Sequence, residues 1–272
     1  MGKSRHIATE KQTFDEILES IPAQRAWAKA IFSRIKHIAT IPDQSIVLDI
    51  GAASGGFLLA CSELGYLPEG IEPSEEARTN AIRLSMHFCV PLHIRNARAE
   101  SLPYGDLFFD VVHASSVIEH VRDIKQVFRE TFRVLKAGGV FWFNSASALC
   151  PWQTEIRGFP FFGWYPAPLK RKIMDWVPTN RPQAIGYTAT PAINWLTPSK
   201  VHSLLHDSGF EKIYDRWDLR LEEEGNWLYS RLLRIIRSTK VTKYIADIVI
   251  PGDSYAAIKG GQGNPSKSTG NI

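Results

Sequence analysis

Cysteine is scarce in this 272-residue chain: there are three, Cys61, Cys89 and Cys150, odd in number, far apart and without CxxC spacing. That pattern argues against a disulfide framework and a zinc site, and fits a reducing compartment. Long apolar runs are missing as well, since none approaches the roughly 20 residues that a bilayer span needs. Residues 1–11 are polar and charged with no apolar segment of the secretory kind, so a cytoplasmic protein is expected, with peripheral membrane contact left open. Charge of one sign does not dominate: 32 Lys and Arg against 28 Asp and Glu leave +4, spread along the chain, which gives no case for nucleic acid as a partner. No cluster of His, Asp and Glu has metal-ligand spacing, so no metal is expected. There is no internal repeat. The length allows one large α/β domain with insertions, or two small ones.

What the chain does have is a run from Val47 through Leu48, Asp49, Ile50, Gly51, Ala52, Ala53, Ser54, Gly55 and Gly56 to Phe57. It reads as a buried strand breaking into a glycine-rich turn that opens a helix. Glycines there let the backbone approach a nucleotide where side chains would collide. Residues 14–41 precede it as an amphipathic helical lead-in interrupted at Pro22, expected to pack on a sheet or to cap a ligand pocket.

After the turn, strands and helices alternate: helix 56–64, strand 67–71, helix 74–88, strand 92–96, a polar loop, strand 109–114, helix 123–135 and strand 140–144. Lys136-Ala137-Gly138-Gly139 reads as the stop of the last of these helices. Alternation of this length implies a parallel sheet with helices on both faces, its loops of interest at the carboxyl edge.

Composition then shifts. Residues 151–200 hold eight of the sixteen prolines and a dense set of aromatics, with six Lys and Arg against two acids, a segment not expected to stay regular for long. A helix at 197–207 follows, ended by Gly209, then strands at 210–221 and 254–259 separated by a helical insertion around 226–244. On a wheel that insertion sets Leu228, Leu232, Ile235 and Ile236 opposite Arg231, Arg234 and Arg237. A packed helix with a solvated basic face is the expected reading, and an anionic membrane the alternative. Residues 260–272 are polar and glycine-bearing, and disorder is expected there.

Which nucleotide the loop serves is narrowed by Glu72, 23 residues after Asp49, which can accept bonds from ribose hydroxyls and so serves NAD and S-adenosylmethionine equally. Residues 97–112 and the stretch Ser116-Val117-Ile118-Glu119-His120-Val121-Arg122-Asp123, followed by Val134 to Gly139, resemble class I S-adenosylmethionine-dependent methyltransferases of the type 11 kind over about residues 45–147. The resemblance implies a Rossmann-like α/β fold: a seven-stranded, mostly parallel sheet with helices on both faces and a C-terminal antiparallel hairpin. It implies S-adenosyl-L-methionine as cofactor. Asp49, Gly51, Ala53 and Gly55 would lie beside its methionine portion, Glu72 at the ribose, Ala99 and Glu100 near the adenine, and Ser115 at the fourth strand's end.

Two positions depart from the family pattern. Ala53 stands where glycine is common, tolerable if its φ stays negative, and Arg98 replaces an acidic adenine contact and has no acceptor. The implied domains are a helical cap at 1–44, a cofactor-binding core at 45–147, an aromatic, proline-rich lid at 148–196, completion of the sheet at 197–259 and a tail.

Methyl transfer from a sulfonium needs alignment more than chemistry, yet an oxygen or nitrogen acceptor still has a proton to lose. His120 is the candidate base, with Glu119 beside it to orient substrate or to pair with Arg122, while His113 within the strand reads as buried structure. The expected acceptor is a small molecule, a glycan or a lipid-linked compound, selected by the lid. An NAD-dependent oxidoreductase, or a binding protein that kept the fold without catalysis, is the alternative.

Overall fold

The computed structural model describes residues 13–153, 156–181, 184 and 192–260. Apolar, largely β-branched runs make the central strands β1 (Ile46–Ile50) and β4 (Phe109–Ser115), buried almost throughout. Beside them lie β2 (Leu67–Ile71), β3 (His93–Arg95) and β5 (Leu135–Ser145), joined at the far edge by β6 (Phe210–Tyr214) and β7 (Asp253–Lys259). The sheet order is β3-β2-β1-β4-β5-β7-β6, with β7 antiparallel to both of its neighbours and the other pairs parallel. The seven-stranded Rossmann-like fold and its closing antiparallel pair are as expected. β6 and β7 pair without a tight turn, because residues 215–252 intervene.

On one face pack α1 (Phe14–Ile38), α2 (Gly56–Glu63) and α3 (Glu75–Phe88), around Ile31, Ile35, Phe57, Trp142 and their neighbours. On the other, α4 (Ile124–Val134) and α6 (Pro198–Asp207) cover Phe128, Phe141, Phe143 and Leu205. Thr13 and Glu16 form a capping box at the start of α1. The interruption expected at Pro22 does not occur: α1 runs on as one helix. Pro22 is exposed, so the ring faces solvent, while Ile17, Ile21, Ala28, Ile31 and Ile35 bury one continuous stripe on both sides of it. Packing along that stripe outweighs the lost backbone bond.

Residues 136–139 are not a helix cap either. Helix α4 ends at Val134, and these residues belong to β5, where Phe109 pairs with Leu135 but Val111 with Val140. The surplus residues bulge out, Gly138 supplies a φ of +76°, and Lys136 Nζ folds back onto both Asp110 oxygens at 2.9 and 2.8 Å.

The proline-rich segment likewise holds more regular structure than its composition suggests. Helix α5 (Ala167–Asn180) spans 14 residues, because Pro166 and Pro168 sit at its start, where N–H groups have no intrahelical partner, and Pro178 comes only in its last turn. It builds a separate small core from Ile156, Phe162, Met174 and Val177 against Trp195. The expected strand at 210–221 stops at Tyr214, since Asp215 and Asp218 form a capping box that opens the short α7 (Arg216–Leu219). The insertion is two helices, α8 (Trp227–Arg237) and α9 (Lys240–Val249). Residues 1–12, parts of the aromatic, proline-rich segment and the tail from residue 261 onward lie outside the described residues.

Candidate functional site

The turn after β1 is shaped by three residues in the left-handed region: Gly51 at φ +75°, Ala53 at +47° and Gly55 at +82°. The amides of Gly51 and Ala52 both donate to Ile71 O at 2.9 Å, tying the turn to the end of β2. Gly55 caps α2 without a side chain, so the positive end of that helix opens at the sheet's carboxyl edge. A Cβ on Gly51 would lie 2.6 Å from Val117 Cγ2, and one on Gly55 3.0 Å from Leu92 Cδ1. Only glycine fits at the first of these.

Ala53 does not keep the negative φ that would make it harmless. An L-residue there costs about 1 kcal/mol, partly offset by the greater chain entropy that glycine loses on folding. Ala53→Gly is therefore expected to raise the melting temperature slightly while leaving the turn intact. A thermal melt with a lower midpoint than the parent would contradict this.

Glu72, one residue beyond β2, reaches across to that turn. Its Oε2 accepts from Ala53 N at 3.0 Å and its Oε1 from Ser74 N at 2.9 Å, while Arg78 holds the adjoining carbonyls of Glu72 and Pro73 at 2.8 and 2.7 Å. Burial pushes the Glu72 pKa up, and the two backbone bonds act in the opposite direction. Each carboxylate oxygen keeps a second lone pair, the capacity that a ribose diol requires.

Asp49 lies one residue before the end of β1, and its carboxylate bonds His113 Nδ1 on β4 at 2.7 Å, both side chains almost fully buried. His113 stacks on Phe57 in the first turn of α2, with ring centroids 3.9 Å apart. The pair thus links two strands to the helix that the turn opens. This places Asp49 beneath the turn, fixed toward the neighbouring strand, and accounts for His113 as buried structure.

Beyond β3, Ala99 is buried and Glu100 Oε1 accepts from Arg122 N at 2.9 Å. Arg98 is exposed and its carbonyl accepts from Ser101 N at 3.1 Å. The segment expected near the adenine is thereby fastened to the loop after β4.

That loop begins where Ser115 ends β4. Ser116 takes φ +54°, and His120 N donates to Val117 O at 2.9 Å, closing a turn. Glu119 is 3% exposed, and its carbonyl accepts from Ile193 N and Asn194 N at 2.8 and 3.1 Å. Asn194 Nδ2 donates to Ile118 O at 3.0 Å and Val121 O at 2.7 Å. Sequence reasoning missed Asn194 and Val117, for nothing in the pattern marks an amide that clips a loop 76 residues away in sequence. The structure thus brings Asp49, Gly51, Ala53, Gly55, Glu72, Ser115, Glu119 and His120 to the carboxyl ends of adjacent strands β2, β1 and β4. Between β1 and β4 the strand order reverses, the place where open α/β sheets take ligands.

Ile193 and Asn194, which clip this loop, also line a cavity of about 410 Å³ whose walls include Tyr165, Lys170, Arg171 and Trp195. Lys170 is 5% exposed, donates to Gly163 O at 2.5 Å and sits 4.9 Å from the centre of the Trp195 ring. Arg171 is exposed at the mouth, and among the described residues the buried Trp195 Nε1 finds no acceptor. No group of three or more metal-ligating side chains occurs among the described residues.

Residues 48–143 match a family model described as a methyltransferase domain. These residues form a methyltransferase domain. Curated relatives include an uncharacterized methyltransferase, YcgJ, of Bacillus subtilis, 35% identical over 100 residues, which are 35% of this chain and 38% of that protein. A sterol 4-C-methyltransferase of Caenorhabditis elegans is 29% identical over 115 residues, 42% of this chain and 34% of that one. The chain therefore spans well under half the length of these relatives. Among solved structures, YcgJ of Bacillus subtilis superimposes with a TM-score of 0.51 at 17% identity, over 85% of this chain and 98% of the other. Phosphoethanolamine N-methyltransferase 2 of Haemonchus contortus, solved with S-adenosyl-L-methionine, gives 0.54 at 18% identity over 86% of this chain and 53% of that one. At such identity these two report the fold.

Proposed function

We propose that the chain is an S-adenosylmethionine-dependent methyltransferase acting at an oxygen of a small-molecule, glycan or lipid-linked acceptor. The observation that carries this reading is the span of the Glu72 carboxylate from β2 to the left-handed turn after β1, inside a methyltransferase domain. Bound there, S-adenosylmethionine supplies an electrophilic methyl on a sulfonium sulfur.

The chain's residues do the rest. The open N-terminus of α2 receives the methionine carboxylate, Glu72 accepts from the ribose hydroxyls, and Ala99 packs against the adenine with Glu100 beside it. Asp49, held by His113, fixes the strand end beneath. Methyl transfer breaks the carbon–sulfur bond and forms a carbon–oxygen bond, and the acceptor hydroxyl loses its proton. His120 takes that proton, and Glu119 orients the acceptor from the same turn. Residues 45–147 serve as the cofactor core and 148–196 as the lid, whose cavity beside Asn194 takes the acceptor. Tyr165, Lys170, Arg171 and Trp195 suit an acceptor that joins an apolar or sugar surface to a negative group. An oxygen target is favoured by relatives such as the ubiquinone biosynthesis O-methyltransferase of Agrobacterium fabrum, 22% identical over 184 residues, 67% of this chain and 70% of that one.

Labelled methyl from S-adenosylmethionine should appear in one class of product when the protein is given a metabolite and lipid extract, identified by mass spectrometry. A general base contributes roughly a hundredfold or more, so His120→Asn should lower kcat about that much and remove the acid limb of its pH profile, with cofactor affinity unchanged. Absence of any labelled product would refute the enzyme, and an unaltered profile would return His120 to a structural role.

A further inference from the structure

Helices α8 and α9 leave most of their apolar side chains in solvent. Three of their charged groups face the protein: Lys243 bonds Asp215 and Asp218 at 3.0 and 2.8 Å, Arg237 Nε reaches Trp217 O at 2.8 Å, and Asp247 accepts from Trp217 Nε1 at 2.7 Å. Leu233 is the sole buried residue on α8 and Asp247 the sole one on α9. Leu228, Leu232 and Ile235 on α8, and Val241, Ile245 and Val249 on α9, point outward at i, i+4, i+7 or i+8 spacing, each more than half exposed. Trp227, 73% exposed, and Tyr244 extend the same surface. The packed helix expected from sequence keeps its solvated Arg231 and Arg234, but its apolar face is not packed, since Leu233 alone is buried on α8. So large an outward apolar face on a soluble domain marks a contact surface.

Its charge says what kind. Arg231, Arg234 and Lys240 are exposed on these helices, which carry no exposed acid. Of the three acids just before α8, Glu224 pairs with Arg34 at 2.7 Å, Glu222 lies 3.7 Å from Arg234 and Glu223 is exposed. A two-fold contact with a second copy would set these cations against their own copies with no acid on the patch to answer them. An anionic bilayer answers both features. Apolar side chains enter the acyl boundary, Trp and Tyr sit at headgroup level, and Arg and Lys meet lipid phosphates. No described helix is long and apolar enough to cross a membrane, so this contact lies on the surface.

The placement adds a consequence. Residues 215–252 leave β6 after Tyr214, paired with Ala256, and re-enter at Asp253, paired with Ser145, both at the sheet's carboxyl edge. That is the edge that carries the Gly51 turn and His120.

We propose that the outward face of α8 and α9 docks the protein on anionic lipid, with the carboxyl edge of the sheet turned toward the membrane surface. The test is co-flotation of the full chain with vesicles of phosphatidylglycerol and phosphatidylcholine, against phosphatidylcholine alone. The chain should float with the anionic vesicles and be released by high salt. Leu232→Glu combined with Ile245→Glu should lower the bound fraction about tenfold, since it puts charge where acyl chains would be. Arg231→Gln with Arg234→Gln leaves the apolar stripe whole and should lower it on anionic vesicles, which keeps the proposal testable if the first pair fails to fold. Both variants should bind S-adenosylmethionine as the parent does, so failure here is separable from failure of the methyltransferase reading. No flotation, equal flotation on neutral vesicles, or a parent dimer that Leu232→Glu with Ile245→Glu dissolves would overturn the proposal.

Discussion

Replacing Glu72 by alanine is expected to weaken S-adenosylmethionine binding by about a hundredfold. Hydrogen bonds to a charged group contribute roughly 1.5–3 kcal/mol each, and a factor of ten in affinity corresponds to about 1.4 kcal/mol, so the loss of one or two ribose contacts spans that range. The variant also leaves Ala53 N and Ser74 N without their acceptor, which loosens the turn itself. Glu72→Gln should recover only part of the loss, because one end of an amide repels the N–H it would face. The pH dependence carries a sign. Burial, the largest cause, raises the Glu72 pKa, so the free protein takes up a proton at this site more readily than an ordinary carboxylate would. Only the ionised form offers every lone pair to the ribose. Affinity is therefore level above the raised pKa and falls as pH drops through it, while Glu72→Ala should titrate flat over the same window. Calorimetry across a pH series checks both, and parent-like affinity in the alanine variant would remove Glu72 from the site.

The second large effect belongs to Gly51. Alanine there must hold a φ of +75°, which costs about 1–2 kcal/mol, and set its Cβ 2.6 Å from Val117 Cγ2, which adds roughly 1–3 kcal/mol of overpacking. Gly51→Ala should thus lose about 2–5 kcal/mol in denaturant unfolding. Because Val117 O closes the turn on His120 N, the displacement should also reach the residue proposed as base and lower turnover. Adding Val117→Ala removes the clash but leaves the backbone strain, so it should restore part of the stability. A Gly51→Ala protein as stable as the parent would contradict the close approach of these two loops.

Most of the fold was legible because parallel strands buried on both faces leave mostly apolar runs, as at Val47 to Ile50 and Phe109 to Ala114, and because glycine marks the turn after β1. Glu72 was legible for a related reason: its place just after a strand sets it at the carboxyl edge. Local signals misled where long-range packing decided. The apolar stripe of α1 carries that helix past Pro22, and prolines at the ends of α5 permit a helix that their number seemed to forbid. Gly138 and Gly139 serve a bulge whose cause is the pairing of Val111 with Val140, invisible without the partner strand. The Asp49–His113 pair and the Asn194 clip join residues 64 and 76 positions apart, and no periodicity reports such contacts. The helical wheel found the two-sided character of α8 but could not tell which side faced inward. On α8 Leu233 and Arg237 face inward, while Leu228, Leu232 and Ile235 stay in solvent.

The most direct test of the central claim is a calorimetric titration of the full chain with S-adenosylmethionine, run beside one with NADH. The account predicts saturable, one-to-one binding of S-adenosylmethionine that Glu72→Ala largely abolishes, and no binding of NADH. An absence of heat at millimolar S-adenosylmethionine, or NADH bound as tightly, would contradict it.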